Sequence, residues 1–116
     1  MNPVAVVDDD ESVRRAISRL LSAAGIEARA FASSKQFLET CDLALAACLV
    51  IDLYTRTGSA LQLIHECRNL NPRLPIIALS ALPDVKSKAI AAGANVFFSK
   101  PFDPVEFLAT IHGLLV

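Results

Sequence analysis

Val4-Ala5-Val6-Val7-Asp8-Asp9 opens the chain with four apolar residues that stop abruptly on a pair of acids. Valine favours extended backbone, and a run with no polar alternation implies a strand covered on both faces. The same form recurs three times. Cys48-Leu49-Val50-Ile51 runs into Asp52, Pro75-Ile76-Ile77-Ala78-Leu79 into Ser80, and Val96-Phe97-Phe98-Ser99 into Lys100-Pro101. In a parallel α/β sheet the carboxyl ends of the strands converge on one crevice. Three carboxylates, a hydroxyl and an amine gathered there suggest a divalent cation, a phosphoacceptor and a charge clamp.

Helical patterns separate these runs. Val13, Ile17, Leu20, Leu21 and Ala24 recur at helical spacing from Ser12 until Gly25 stops them. Ile26 to Phe31 alternates instead, with Ile26, Ala28 and Ala30 set against Glu27 and Arg29, which predicts a strand at a sheet edge. Ser33-Ser34 offers a helix start with Phe37 and Leu38 as the buried face. Leu61, Ile64, Cys67 and Arg68 define a third helix ending before Asn71-Pro72. Asp84 is placed to cap a short fourth helix through Ala92, stopped by Gly93, and Asp103-Pro104 opens a fifth on Phe107, Leu108, Ile111 and Leu115. Strands alternating with helices imply right-handed βαβ units. The prediction is a single α/β domain over residues 1–116, a flavodoxin-like (βα)5 doubly wound parallel sheet with strand order 2-1-3-4-5.

The totals agree with one folded domain. The 116 residues are 53% hydrophobic and 20% charged, which argues against disorder. A net charge of −1 gives no electrostatic footprint for nucleic acid. No apolar run approaches the roughly 20 residues needed to span a bilayer, and Met1-Asn2-Pro3 does not begin a signal peptide. Cys41, Cys48 and Cys67 have no C-x-x-C spacing and read as buried, inert thiols. No membrane partner is expected, and a cytoplasmic location follows as the default.

Each polar strand end has an ordinary reading beside the chemical one. Asp8, Asp9 and Asp10 suit a solvated turn and a helix N-cap. They also suit Mg²⁺, a hard ion that takes one or two carboxylates and keeps several waters. On that reading Asp8 and Asp9 serve the ion and Asp10 caps. Asp52 alone is a turn residue. Beside Asp8 and Asp9 it makes a repulsive cluster with raised pKa values, and with a cation present it is a nucleophile for a phosphoryl group. Ser80 is a cap or a hydroxyl donor, with small Ala81 leaving room for an incoming group. Lys100 is a surface lysine or a point charge against a phosphoryl group, and the Lys100-Pro101 bond is a place for a cis peptide. His65 and His112 fall on helices far from these ends.

Together, Val6 to Asp9 (VVDD), Leu49 to Asp52 (LVID), Leu79 to Ala81 (LSA), Ala92 to Ala94 (AGA) and Ser99 to Phe102 (SKPF) resemble the receiver domain of two-component response regulators. The resemblance covers essentially the whole chain and is nearest to FixJ/NarL- or NtrC-like receivers. It implies that Asp8, Asp9, Asp52 and the main-chain carbonyl of Tyr54 hold Mg²⁺. It further implies that Asp52 accepts a phosphoryl group from a sensor histidine kinase and that Lys100 pairs with that group. Ser80 and Phe97 become the switch pair, and the Lys100–Pro101 bond is cis. Other implied partners are a C-terminal output domain or separate effector, and a second copy through the fourth helix, fifth strand and fifth helix. Such a module catalyses its own phosphotransfer and dephosphorylation and is not an enzyme with turnover.

The departures are local. Where the family has Met-Pro after the phosphoacceptor and then glycine, this chain has Thr55-Arg56 and Ala60, with Gly58 nearby as a substitute for the lost flexibility. The stretch from Ser80 to Lys100 is about two residues short, within the fourth helix. These departures keep open a receiver-like binding module that works without phosphorylation. A third reading is a haloacid-dehalogenase-type phosphatase with Asp8 as nucleophile, from Asp8-x-Asp10-x-Ser12-Val13. It lacks that superfamily's late acidic pair, since only Asp103 and Glu106 follow Lys100.

Overall fold

Strand residues of alternate parity pack against two different sets of helices in the computed structural model, which describes residues 2–40, 46–54 and 60–115. The order is β1 (Val4–Val7), α1 (Glu11–Ala23), β2 (Ala28–Phe31), α2 (Ser34–Thr40), β3 (Cys48–Asp52), α3 (Ala60–Leu70), β4 (Ile76–Ser80), α4 (Lys86–Ala92), β5 (Val96–Ser99) and α5 (Pro104–Leu115). All five strands are parallel, in the order β2-β1-β3-β4-β5. The (βα)5 topology inferred from the apolar runs is the one observed.

β1, β3 and β4 are buried at every residue, as their unbroken apolar character requires. Ala5, Val7, Leu49, Ile51, Ile76 and Ala78 point to one face, against Phe37 of α2, Leu63 and Ile64 of α3 and Ala89 of α4. Val4, Val6, Cys48, Val50, Ile77 and Leu79 point to the other, against Ile17 and Leu21 of α1 and Phe107 and Ile111 of α5. Phe37 and Phe107 are fully buried, and each such side chain stabilises the fold by roughly 1.5–3 kcal/mol.

The helix ends follow local chemistry. Asp10 caps α1, its carboxylate accepting from the Ser12 N–H and Oγ, and Asp103 accepts from the Val105 N–H at the start of α5. α1 and α4 both stop at a glycine with positive φ, Gly25 at 77° and Gly93 at 124°, a backbone region costly for any side chain. A Cβ on Gly93 would also meet Arg68 Cγ at 2.9 Å. Arg68 donates to the Gly93 carbonyl through Nε and Nη2 and to Asn95 Oδ1, so it ties α3 to the end of α4.

Several expectations need correction. Asp84 does not cap the fourth helix: Pro83–Val85 is already wound into a 3-10 turn, and the N-cap is Val85, with no side-chain hydrogen bond. A residue inside such a turn lacks the extended conformation of a side-chain cap. Leu38 is 41% exposed while Phe37 is buried, because one residue turns the helix by about 100° and a seven-residue helix shows the sheet one narrow stripe. β2 is an edge strand, yet Ala30 is exposed together with Arg29, so its alternation does not hold. Ala60 is buried in the first turn of α3, and no described residue other than glycine has positive φ. That position therefore does not demand the backbone of glycine. Thr55, Arg56, Gly58 and Cys41 lie outside the described residues.

Cys48 and Cys67 are buried and in no disulfide. Burial pushes the Cys48 thiol up to about 12, far from the thiolate that alkylating agents attack. Iodoacetamide at pH 8 is therefore expected to leave Cys48 unmodified in the native protein and to label it in urea, as read by peptide mass spectrometry. Native labelling of Cys48 at the denatured rate would contradict this packing.

Candidate functional site

Strand parity assembles the site. Asp8 continues the Val4, Val6 face of β1, Asp52 ends the Cys48, Val50 face of β3, and Lys100 continues the Val96, Phe98 face of β5. All three therefore leave the sheet on the α1/α5 side. β1 and β3 pair with Val7 opposite Ile51, which puts Asp8 and Asp52 side by side at the carboxyl edge. Ser80 and Phe97 have the other parity and belong to the α3/α4 side, where half-buried Phe97 packs against the core.

Lys100 joins the two acids. Its Nζ lies 2.6 Å from Asp52 Oδ2 and 3.5 Å from Asp8 Oδ2. The backbone holds it in place: the Lys100 N–H donates to the Ser80 carbonyl at 2.8 Å. Phe98 and Phe102, on either side of it in sequence, both pack on Phe107, the first edge-to-face and the second tilted, with ring centroids 5.8 and 4.8 Å away. The Lys100–Pro101 peptide is cis, as expected. Burial alone would lower the Lys100 ammonium, but the hydrogen bond and charge of Asp52, joined by Asp8, outweigh it and hold the pKa above its ordinary value.

Asp8 is 1% exposed and Asp52 6%. Burial pushes the Asp8 carboxyl up to about 6; the Asp10 N–H works against the rise, Asp52 adds to it and Lys100 offsets part. Asp8 Oδ1 accepts from the Asp10 N–H at 2.9 Å, whereas buried Oδ2 has no hydrogen-bond partner. Asp52 Oδ1 accepts from the Tyr54 N–H at 2.9 Å. Asp8, Asp9, Asp10, Asp52, Tyr54 and Lys100 line an open cleft of about 510 Å³. Asp9 is exposed there, as is the Tyr54 side chain.

Ser80 is buried, and its Oγ accepts from the Leu82 N–H at 3.0 Å. Its hydroxyl hydrogen remains to be donated. Exposed Ala81 follows it. His65 and His112 are exposed on α3 and α5, as expected.

The residues fit a hard divalent cation. A buried carboxylate oxygen without a hydrogen-bond partner beside a second carboxylate is a poor arrangement for a protein alone, and Asp8 resists ionisation accordingly. Among the described residues no three acidic, histidine or cysteine side chains converge as a ready-made shell. Asp8, Asp9 and Asp52 line an open cleft with room for water, which fits Mg²⁺, an ion that takes one or two carboxylates and keeps several waters.

Sequence reasoning missed one contact. Arg14 Nη1 donates to the main-chain carbonyl of Asp8 at 2.7 Å. The dipeptide Arg14-Arg15 has no signal separating the two side chains, yet Arg15 faces solvent and pairs with Glu11 at 3.7 Å.

Residues 4–112 match the response regulator receiver domain as a family, and the chain belongs to that family. It is similar to the response regulator protein TodT of Pseudomonas putida, 33% identical over 114 residues, covering 97% of this chain and 50% of that protein. It is also similar to the transcriptional regulatory protein FixJ of Azorhizobium caulinodans, 30% identical over 115 residues, covering 97% of this chain and 54% of that protein. The chain thus spans about half the length of these relatives. Among solved structures, the BeF3-activated DrrB receiver domain superposes with a TM-score of 0.90 at 26% identity, covering 99% of this chain and 97% of that one. Among the described residues no helix is long and apolar enough to cross a membrane.

Proposed function

We propose that this chain is a phosphoacceptor switch that takes a phosphoryl group from a phosphohistidine of a sensor histidine kinase onto Asp52. The observation that carries the reading is the buried Asp52–Lys100 pair at 2.6 Å beside an Asp8 Oδ2 that lacks a hydrogen bond, all on one open cleft. Asp8, Asp9, Asp52 and the Tyr54 carbonyl would hold Mg²⁺, which when bound neutralises the acids and the charge of the transferred group.

An Asp52 carboxylate oxygen attacks phosphorus, the P–N bond to the donor imidazole breaks with its electron pair on nitrogen, and that nitrogen takes up a proton from solvent in the open cleft. The Tyr54 N–H keeps Asp52 oriented. Lys100 stays protonated and exchanges its hydrogen bond to Asp52 for one to the new phosphoryl oxygens. Ser80 turns its hydroxyl from the Leu82 N–H toward the same oxygens, and Phe97, with no hydroxyl, reports the change by repacking against α4. Two conformations of the α4, β5 and α5 surface then shift in population.

The phosphoryl donor must rest beside the acid cleft. The adjoining groove of about 600 Å³, lined by Val13, Ala16, Ile17, Pro101 and Phe102, is the apolar surface available there. An output domain or separate effector, or a second copy on the α4–β5–α5 face, would read the switched state in the cytoplasm. The module turns over only its own aspartyl phosphate.

Incubation with Mg²⁺ and acetyl phosphate is expected to give an acid-stable, base-labile phosphoryl adduct. No gain of phosphoryl mass, while an ordinary receiver gains it in parallel, would sink the reading and favour the phosphorylation-independent binding module.

A further inference from the structure

We propose that Arg14 is a positioning residue for the divalent-cation site, acting on the main chain of Asp8. The inference rests on the reading of Asp8 and Asp9 as cation ligands.

Asp8 is held at three of its four hydrogen-bonding atoms. Its N–H donates to the Phe31 carbonyl at 3.1 Å, which continues the β1–β2 ladder past Val7. Its Oδ1 accepts from the Asp10 N–H. Its main-chain carbonyl, beyond the last strand pairing, accepts from Arg14 Nη1 at 2.7 Å across six residues of sequence. With these three fixed, the carboxylate has little freedom left, and Oδ2 stays in the cleft 3.5 Å from Lys100. The carbonyl of Asp8 and the N–H of Asp9 share one planar peptide. A bond that fixes that carbonyl therefore also sets the direction in which the chain delivers Asp9.

Arg14 is itself well placed to act as the fixed end. Its N–H donates to the Asp10 carbonyl at 3.0 Å, so its backbone belongs to the first turn of α1 and is locked to the same loop. Arg14 is half-buried whereas Arg15 is exposed. The two arginines thus have different work: one pairs with Glu11 at the surface, and the other ties the helix to the acidic turn. Support of ligand-bearing groups by neighbouring hydrogen bonds commonly changes metal affinity by 10- to 100-fold.

The test is Mg²⁺ titration of the wild-type chain, Arg14→Ala and Arg14→Lys, followed by the emission of Tyr54. The chain has one tyrosine and no tryptophan, and that tyrosine lines the cleft. Urea unfolding in EDTA is measured on the same samples. Arg14→Ala is expected to weaken Mg²⁺ binding about tenfold. Arg14→Lys, which retains a donor of nearly the same reach, is expected to recover to within about threefold of wild type. With acetyl phosphate, the Mg²⁺ concentration for half-maximal adduct formation rises in step, and the rate at saturating Mg²⁺ stays near wild type.

Equal Mg²⁺ affinity in wild type and Arg14→Ala, with or without a fall in stability in EDTA, would overturn the inference and leave Arg14 a purely structural tie. Should Arg14→Ala not fold, Arg14→Gln, which keeps part of the stem, is held to the same tenfold expectation and the same overturning result. Failure of the underlying reading looks different: the wild-type chain itself then shows no saturable response to Mg²⁺.

Discussion

Replacing Asp52 by asparagine is expected to abolish the aspartyl phosphate, with a loss on the order of 10³-fold or more in adduct formation, the scale seen when a covalent nucleophile is removed. The fold is expected to survive. Asparagine has the same shape, so it continues to end β3 among fully buried neighbours. It gives up the 2.6 Å ion pair with Lys100, which can lean on Asp8, 3.5 Å away. Removing one of two adjacent buried carboxylates also relieves their mutual repulsion, so the net change in stability is small. Asp8→Asn keeps the nucleophile and Lys100; it is expected to slow the reaction, and raising Mg²⁺ should recover part of the rate. Mass spectrometry of acid-quenched samples checks both variants. A phosphatase that used Asp8 as its nucleophile would show the reverse order. An adduct on Asp52→Asn at the wild-type rate would rule out Asp52 as the acceptor.

The gathering of these two acids was legible in the chain because parallel strands deliver their carboxyl ends to one edge. Which face each side chain takes was not, since it follows from the register of Val7 opposite Ile51, which sends Asp8 and Asp52 to the same side. Ser80, an even residue of a strand whose even positions face α3 and α4, must leave on the other. Caps such as Asp10 and Asp103 were legible, since their chemistry is confined to a few residues. The misreadings fall where the deciding force comes from outside the segment. Leu38 has the composition of a core residue, but the sheet accepts a single stripe of a short helix. Asp84 looks like a cap, but the backbone has already wound into a tighter turn. Arg14 is indistinguishable from Arg15 until the fold brings the Asp8 carbonyl within its reach. The edge of a helix's buried stripe is only weakly marked in the sequence, and long-range bonds to the main chain have no local signature.

Asp8→Asn is expected to make the protein more stable in the absence of divalent cations, by about 2–3 kcal/mol at pH 7. The sign follows from where the proton binds more tightly. In the unfolded chain Asp8 titrates near 3.8, and in the fold burial raises it to about 6. The folded carboxyl therefore holds its proton more firmly than the unfolded one. Below about pH 3.8 it is protonated in both states and costs nothing. As pH rises through 6 the folded state loses this advantage, and above 6 the full cost of a buried carboxylate is present. A difference of 2.2 pH units at about 1.36 kcal/mol each sets an upper bound of about 3 kcal/mol, the attraction to Lys100 being already contained in the raised value. Urea unfolding of both forms at pH 4, 5, 6 and 7 in EDTA tests this, the difference reporting Asp8 together with its contacts to Asp52 and Lys100. The gap should close steadily from pH 6 toward pH 4. Mg²⁺ at ten times its dissociation constant should stabilise wild type by about 1.4 kcal/mol and the variant much less. A variant less stable than wild type at pH 7 in EDTA would show that Asp8 Oδ2 is not the strained atom its burial implies. If both halves hold, the acid that weakens the empty fold is the one the cation requires, and the site trades stability for readiness to bind.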